Sequence, residues 1–222
     1  MIQSQYRNYY ATTRQFWRIT YIGIQMKTKN SNAALFLTGK RVEPIVLLYF
    51  QLNHLKQLYS QGWLREGRDI PEKFCESVAD HVFGMSLLGL FICELYFPKL
   101  DCFKVIKMCL THELGEIING DPRSPQDDAG KKEKYLAEHD AIIALLKDLP
   151  NAGDYLQLWE EFEEGASPEA KLVRQLDKLE MAFQAKIYSL QHGKNLQEFL
   201  DEVRTYLEAG ELKAILTQVE SL

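Results

Sequence analysis

The chain has 222 residues, 46% of them hydrophobic and 26% charged, with 13 Gly and 7 Pro. This balance argues against disorder and against a fibrous or low-complexity protein, and the length suits one domain or one domain with an appendage. The net charge of −5 is uneven. Residues 1–42 hold seven Lys/Arg and no Asp or Glu, which leaves −12 on the remainder. An acidic body lacks the basic footprint that broad nucleic-acid binding needs. The longest apolar runs, 45–50 and 87–93, fall far short of the ~20 residues that span a bilayer, so no membrane partner is expected.

Residues 1 to about 40 are basic and aromatic (Tyr6, Tyr9, Tyr10, Phe16, Trp17, Tyr21) without a clear period. They read as a start placed upstream of Met26, a targeting arm, or an appendage packed on the body. A weakly ordered extension without chemistry is the favoured expectation, which divides the chain into residues 1–42 and a domain over 43–222.

From Glu43 onward the period is helical. Ile45, Leu48, Leu52, Leu55 and Leu58 recur every three or four residues, predicting an amphipathic helix over 43–61 that Gly62 stops. A polar loop, 65–73, follows. Glu76 or Ser77 caps a second helix running to about Tyr96, with Pro98 beyond it. Asp101 caps a third, from Cys102 to about Asn119, with Gly120 past its end. Residues 120–130 are a loop by their Gly, Pro and Asp content. Helices follow over about 131–148 and 152–164. Ser167 and Pro168 open a long helix to about His192, and shorter helices close the chain near 196–208 and 210–220. No segment alternates like a strand, so the fold class is all-α. The C-terminal helices either cover the bundle or form a dimer contact.

The four cysteines, at 75, 93, 102 and 109, form no C-x-x-C pair, and no secretory signal is visible. Free thiols in a reducing, cytoplasmic setting are expected.

Two of the five histidines keep unusual company. His81 closes Glu76-Ser77-Val78-Ala79-Asp80-His81, and His112 sits in Thr111-His112-Glu113-Leu114-Gly115-Glu116. Neighbours on a helix are ~100° apart, so His112 and Glu113 do not share a face, yet both can reach an ion over the helix edge. Glu116, one turn beyond His112, shares its face. Asp177 lies among Leu172, Val173, Leu176, Leu179 and Met181, where a lone carboxylate costs free energy unless it is paired or bound to a metal. Taken singly, each of these is more often a hydrogen-bonded core residue or a solvated carboxylate than a ligand.

The ordered set His81, His112-Glu113, Glu116 and Asp177, with Gly62-Trp63, Gly120-Asp121-Pro122, the Leu158–Glu163 string, Pro168–Val173 and Gln175–Glu180, resembles the HD-domain metal-dependent phosphohydrolases, and among them the 5′-deoxynucleotidase branch. The resemblance covers about residues 45–192. It implies a helical bundle with a metal site between helices, hydrolysis of deoxyribonucleoside 5′-monophosphates to nucleoside and phosphate, and a homodimer. It implies His81, His112, Glu113 and Asp177 as ligands of one divalent ion, Mn or Co by preference, with Fe, Ni and Zn also compatible with two imidazoles and two carboxylates. It implies Glu116 as the catalytic acid or base. Trp63 would stand beside the nucleotide, and Asp121 would sit at the sugar, although Asp121 also reads as a turn-former after a helix stop. Arg65, Arg68 and Lys178 are candidates for the phosphate. The arginines also read as solvated loop residues, and Lys178 as a partner for Glu180.

The chain departs from the family at one ligand. Glu113 stands where the family has Asp, and its extra methylene moves the carboxylate by ~1.5 Å. Two alternatives therefore stay open: a helical dimerisation or regulatory module with a degenerate metal site, and an HD-type cyclic nucleotide phosphodiesterase.

Overall fold

The computed structural model describes residues 26–65, 67–122, 127–208 and 210–222. Their helices are α1 (Pro44–Leu52), α2 (Val78–Tyr96), α3 (Cys102–Thr111), α4 (Glu116–Asn119), α5 (Asp128–Leu146), α6 (Ala152–Glu164), α7 (Pro168–His192), α8 (Gln197–Tyr206) and α9 (Glu211–Ser221), joined by short 3-10 turns. Among the described residues the β structure is limited to one antiparallel bridge, Thr28 to Leu58. The fold class is all-α, as expected.

Local chemistry sets most helix starts. At α2, Ser77 Oγ accepts from the Asp80 amide while Asp80 Oδ2 accepts from the Ser77 amide at 2.8 Å, a reciprocal box that satisfies two otherwise orphaned donors. Asp101 caps α3 through the Lys104 amide, and Ser167 caps α7 through the Ala170 amide with Pro168 in the first turn. Gly193, at φ +63°, ends α7 in the left-handed conformation that L residues resist.

Two contact units share the chain. The first comprises residues up to Gln61 together with Glu113–Leu156. In it α1 packs against α5, and α4 lies on α5. Gly115 allows that approach, since a Cβ there would fall 2.8 Å from Glu138 Cβ. Helix α1 stops nine residues earlier than the expected end at 61. The chain continues through a 3-10 turn, Asn53–Lys56, into an extended stretch where Lys29 N donates to Gln57 O. Leu55 and Leu58 are still buried there, because apolar side chains at this spacing are satisfied by the turn and bridge as well as by a helix. Part of the basic arm is therefore built into this unit: 26–42 holds the bridge and a 3-10 turn, Ala33–Leu37, capped by Asn32. The expectation for 1–25 lies outside the described residues.

The second unit comprises Gly62–His112 and Gln157–Leu222. Its core is α2, α3 and α7 packed on one another. Gly89 of α2 brings these helices together, for a Cβ there would lie 3.1 Å from Cys109 Sγ and 3.3 Å from Leu176 Cδ1. Val105, Met108, Leu172, Leu176 and Leu179 fill the space between them. Helices α8 and α9 pack on α7 through buried Leu200, Val203, Leu212, Leu216 and Val219. Of the two roles expected for the C-terminal helices, these contacts are the covering one.

The expectation of four free thiols needs correction. Cys93 and Cys102 are joined in a disulfide, while Cys75 and Cys109 are buried and lie outside it. Cys93 lies near the end of α2 and Cys102 opens α3, so the turn between the helices brings them together. Helix α2, of 19 residues with a mean hydropathy of 1.6, is long and apolar enough to cross a membrane by length and composition alone. It is also a helix that α3 and α7 pack against, which accounts for its apolarity.

Candidate metal centre

His81 sits at the start of α2, one turn beyond its capping box, and faces α7. The His81 ring is bracketed by two carboxylates of α7: Nδ1 lies 2.5 Å from Glu180 Oε2, and Nε2 lies 3.3 Å from Asp177 Oδ1. Asp177 and Glu180 are three residues apart on one helix and so share a face. Burial opposes charge on the imidazole, but its two acidic partners outweigh that and push its pKa well above the ordinary value.

His112 is at the C-terminal end of α3. Its ring packs edge-on against His81, 5.7 Å between centroids, and against Phe162. His112 Nδ1 lies 2.9 Å from Cys109 O. A carbonyl only accepts, so Nδ1 carries the proton and the ring's lone pair is on Nε2. Both histidines are buried, 6% and 5% exposed. His81 and His112 can offer ligand atoms within 4.8 Å of each other. Two buried imidazoles and an adjacent carboxylate, Asp177, form a donor set of the kind that holds a first-row divalent ion.

Asp177 is further fixed by Lys178, whose Nζ donates to Asp177 Oδ2 at 2.8 Å. Burial alone would raise the Asp177 pKa. The Lys178 ammonium and the His81 hydrogen bond overcome it and hold the carboxyl well below the usual carboxylate range. The pairing considered for Lys178 with Glu180 is thus made with Asp177. Glu180, which sequence reasoning noticed only as a partner for Lys178, is the residue behind His81. Its signal was an Asp-x-x-Glu spacing that puts a second acid on the buried face of α7.

Trp63 is 0% exposed, with its ring against Tyr188 and Phe199 and its Nε1–H donated to Glu76 Oε1 at 2.6 Å. In this position the indole organises Glu76 and offers no open face. Burial, then the nearby Glu180, pushes the Glu76 carboxyl up to about 7, against the lowering effect of His81 and Trp63. The Arg68 guanidinium lies over the Trp63 and Phe199 rings and donates to Gly62 O. Arg65 is half-buried, and its carbonyl accepts from the Arg68 and Asp69 amides.

In the other unit, Glu113 is half-buried and Glu116 is 6% exposed. The third helix expected over 102–119 is interrupted here. Glu116 N and Ile117 N donate to residues three back, Glu113 O and Leu114 O, so the chain tightens before α4 begins. Glu116 Oε2 is buried and makes no hydrogen bond among the described residues. Burial, then the like charges of Glu113 and Asp121, raises the Glu116 pKa well above the ordinary range, with Lys134 opposing. Lys134 itself pairs with Glu138 at 2.8 Å. Asp121 follows Gly120, which turns the chain at φ +74°, and its Oδ2 accepts from Gln61 N at 2.6 Å.

Sequence comparison adds ancestry to this geometry. The HD-domain family matches residues 52–215. The 5′-deoxynucleotidase HDDC2 of Dictyostelium discoideum is 35% identical over 179 residues, covering 75% of this chain and 92% of that protein. The 5′-deoxynucleotidase HDDC2 of Danio rerio is 40% identical over 152 residues, covering 67% and 72%. Among solved structures, a conserved hypothetical protein from Pyrococcus furiosus superposes with a TM-score of 0.61 at 33% identity, over 80% of this chain and 99% of that one. A family match over residues 52–215, most of the sequence, means that the chain belongs to the HD-domain family.

Proposed function

We propose that this protein is a metal-dependent phosphomonoesterase that hydrolyses deoxyribonucleoside 5′-monophosphates to nucleoside and phosphate. The observation that carries this reading is the convergence of His81, His112 and Asp177, which lie far apart in sequence, in a chain whose relatives are named 5′-deoxynucleotidases. The ligands are His81, His112, Glu113 and Asp177, with Mn or Co the favoured ion. Such an ion neutralises phosphate charge and acidifies water, making a nucleophile available near neutral pH.

The chain's own residues supply the rest. Glu180 and the Cys109 carbonyl orient the two imidazoles, and Lys178 holds Asp177 as a carboxylate. Glu116, kept protonated by burial and by its acidic neighbours, gives its proton to the departing 5′ oxygen as water attacks phosphorus from the opposite side. The P–O5′ bond breaks, a new P–O bond forms to the water oxygen, that water's proton passes to solvent, and Glu116 is reprotonated from solvent once the nucleoside has left. Asp121, positioned after Gly120 and held by the Gln61 amide, is the residue proposed to face the sugar. Lys178, Arg65 and Trp63 are assigned supporting roles around the nucleotide: Trp63 acts through Glu76, and the two cations contribute positive charge for the phosphate.

The test is phosphate release from a panel of ribo- and deoxyribonucleoside 5′-monophosphates and 3′,5′-cyclic nucleotides, with metal content measured on the same preparation. Release from deoxyribonucleoside monophosphates is the expected result. Hydrolysis of cyclic nucleotides alone would reassign the protein to the phosphodiesterases, and absence of both metal and release would make it a regulatory module.

A further inference from the structure

Four residues form a square between α2 and α7. His81 and Gly84 are one turn apart on α2, and Asp177 and Glu180 are one turn apart on α7. Across the square, Glu180 Oε2 meets His81 Nδ1 at 2.5 Å, and Asp177 Oδ1 lies 3.3 Å from His81 Nε2. The fourth corner is empty of side chain. A Cβ at Gly84 would fall 2.9 Å from Glu180 Oε1, closer than real Cβ contacts come, with the Glu180 Cδ and Cγ at 3.7 and 3.8 Å. Gly84 sits inside α2 with no positive φ, so its conformational freedom is not what the helix uses. Glycine in a helix interior costs roughly 0.5–1 kcal/mol relative to alanine. What this glycine provides is room for a buried carboxylate.

We propose that Glu180 is the positioning residue of the metal centre, and that Gly84 is the notch that lets it reach His81. Glu180 accepts the Nδ1–H of His81, which fixes the imidazole tautomer and leaves the Nε2 lone pair for the ion that Asp177 would share. An imidazole without that partner loses both its tautomer preference and its ring orientation. The carboxylate has little freedom of its own. It is buried, it is backed by α2 at Gly84, and it shares a helix face with the ligand Asp177. The proposal rests on the metal-dependent reading above and assigns within it a residue pair that touches neither substrate nor reacting atoms.

The experiment measures Co2+ affinity by calorimetry and the visible spectrum of the Co2+-loaded protein for the wild type, Glu180→Leu, Glu180→Gln, Gly84→Ala and the Gly84→Ala/Glu180→Leu double variant. Helicity is followed by circular dichroism. Glu180→Leu should weaken Co2+ binding by ~10–100-fold, the usual cost of removing a carboxylate behind a ligating histidine, and shift the Co2+ bands. Glu180→Gln keeps an acceptor for Nδ1–H and should recover most of that loss. Gly84→Ala should weaken binding in the same direction while leaving helicity intact, because alanine favours the helix. In the double variant the added methyl should have no further effect, since the carboxylate it displaces is gone.

Wild-type affinity and spectrum in Gly84→Ala, or equal losses in Glu180→Gln and Glu180→Leu, would overturn the proposal. Should Glu180→Leu fail to fold, the Gln and Ala variants decide. If the wild type itself takes up no Co2+, the metal-dependent function falls first. If the wild type binds and the variants bind equally well, only the positioning role falls.

Discussion

Glu116 is buried, one of its oxygens makes no hydrogen bond among the described residues, and its neighbours Glu113, Asp121 and Glu138 repel its charge. Replacing it by Gln removes the charge, keeps the size and adds an amide that those carboxylates can accept from. The folded pKa is raised, so the neutral form is the one the fold prefers. The associated stability is fully present below the unfolded value near 4.5 and is lost as pH rises through the folded value. Between those limits each pH unit costs the wild type about 1.4 kcal/mol relative to Glu116→Gln. At ~2–4 °C per kcal/mol for a chain of this size, the gap in Tm between the two proteins should widen by about 3–6 °C per pH unit. The assay is thermal unfolding of chelator-treated protein at several pH values between 4 and 8, with phosphate release measured on the metal-loaded forms. Glu116→Gln should be the more stable protein at pH 7–8 and lose at least ~100-fold in turnover, the low end for a general acid. A variant less stable than the wild type at pH 8, or with unchanged turnover, would show that Glu116 is neither strained by its neighbours nor a proton donor.

Other consequences follow from single contacts. Chelation should abolish phosphate release, and Mn2+ or Co2+ added back should restore it, whereas a metal-independent enzyme would be indifferent to both. Asp177→Ala should lose metal binding, measured by calorimetry, while the α2–α3–α7 core persists by circular dichroism. Trp63→Phe keeps the aromatic contacts with Tyr188 and Phe199 but deletes the donor to Glu76. It should destabilise the protein by ~1–3 kcal/mol and raise the Glu76 carboxyl above its present value of about 7, as read by carbon NMR of that side chain. Leu176→Ala, at a fully buried position of α7, should cost ~2–5 kcal/mol in chemical denaturation, and a smaller loss would mean that the core collapses around the gap.

Local signals carried the fold a long way. The caps at Ser77, Asp101 and Ser167 and the stop at Gly193 are written in single side chains; the helices begun at Ser77 and Ser167 run as far as periodicity predicts, while the one begun at Asp101 ends early, at Thr111. What sequence could not show depends on partners distant in the chain. The break after His112 occurs where Gly115 meets Glu138 of α5, a contact no window of residues reveals. The end of α1 at Leu52 reflects a bridge to Thr28 that competes with helix for the same apolar spacing. At the proposed metal centre, His81, His112 and Asp177 drew attention because ionisable groups on apolar helices need partners and because their order along the chain resembles the HD-domain pattern. Glu180 was read only as a partner for Lys178 because its actual partner, His81, is 99 residues away. Trp63 was expected beside a nucleotide, yet the structure places its ring in the core, where exposure could be judged only after α7 and α8 were packed around it.

The central claim is that His81, His112, Glu113 and Asp177 hold one cation. Anomalous diffraction at the cobalt edge from crystals of the Co2+-loaded protein tests it most directly. The account predicts a single strong peak about 2.0–2.2 Å from nitrogens of His81 and His112 and oxygens of Glu113 and Asp177. A peak bound elsewhere, or none at full Co2+ occupancy in solution, would contradict it.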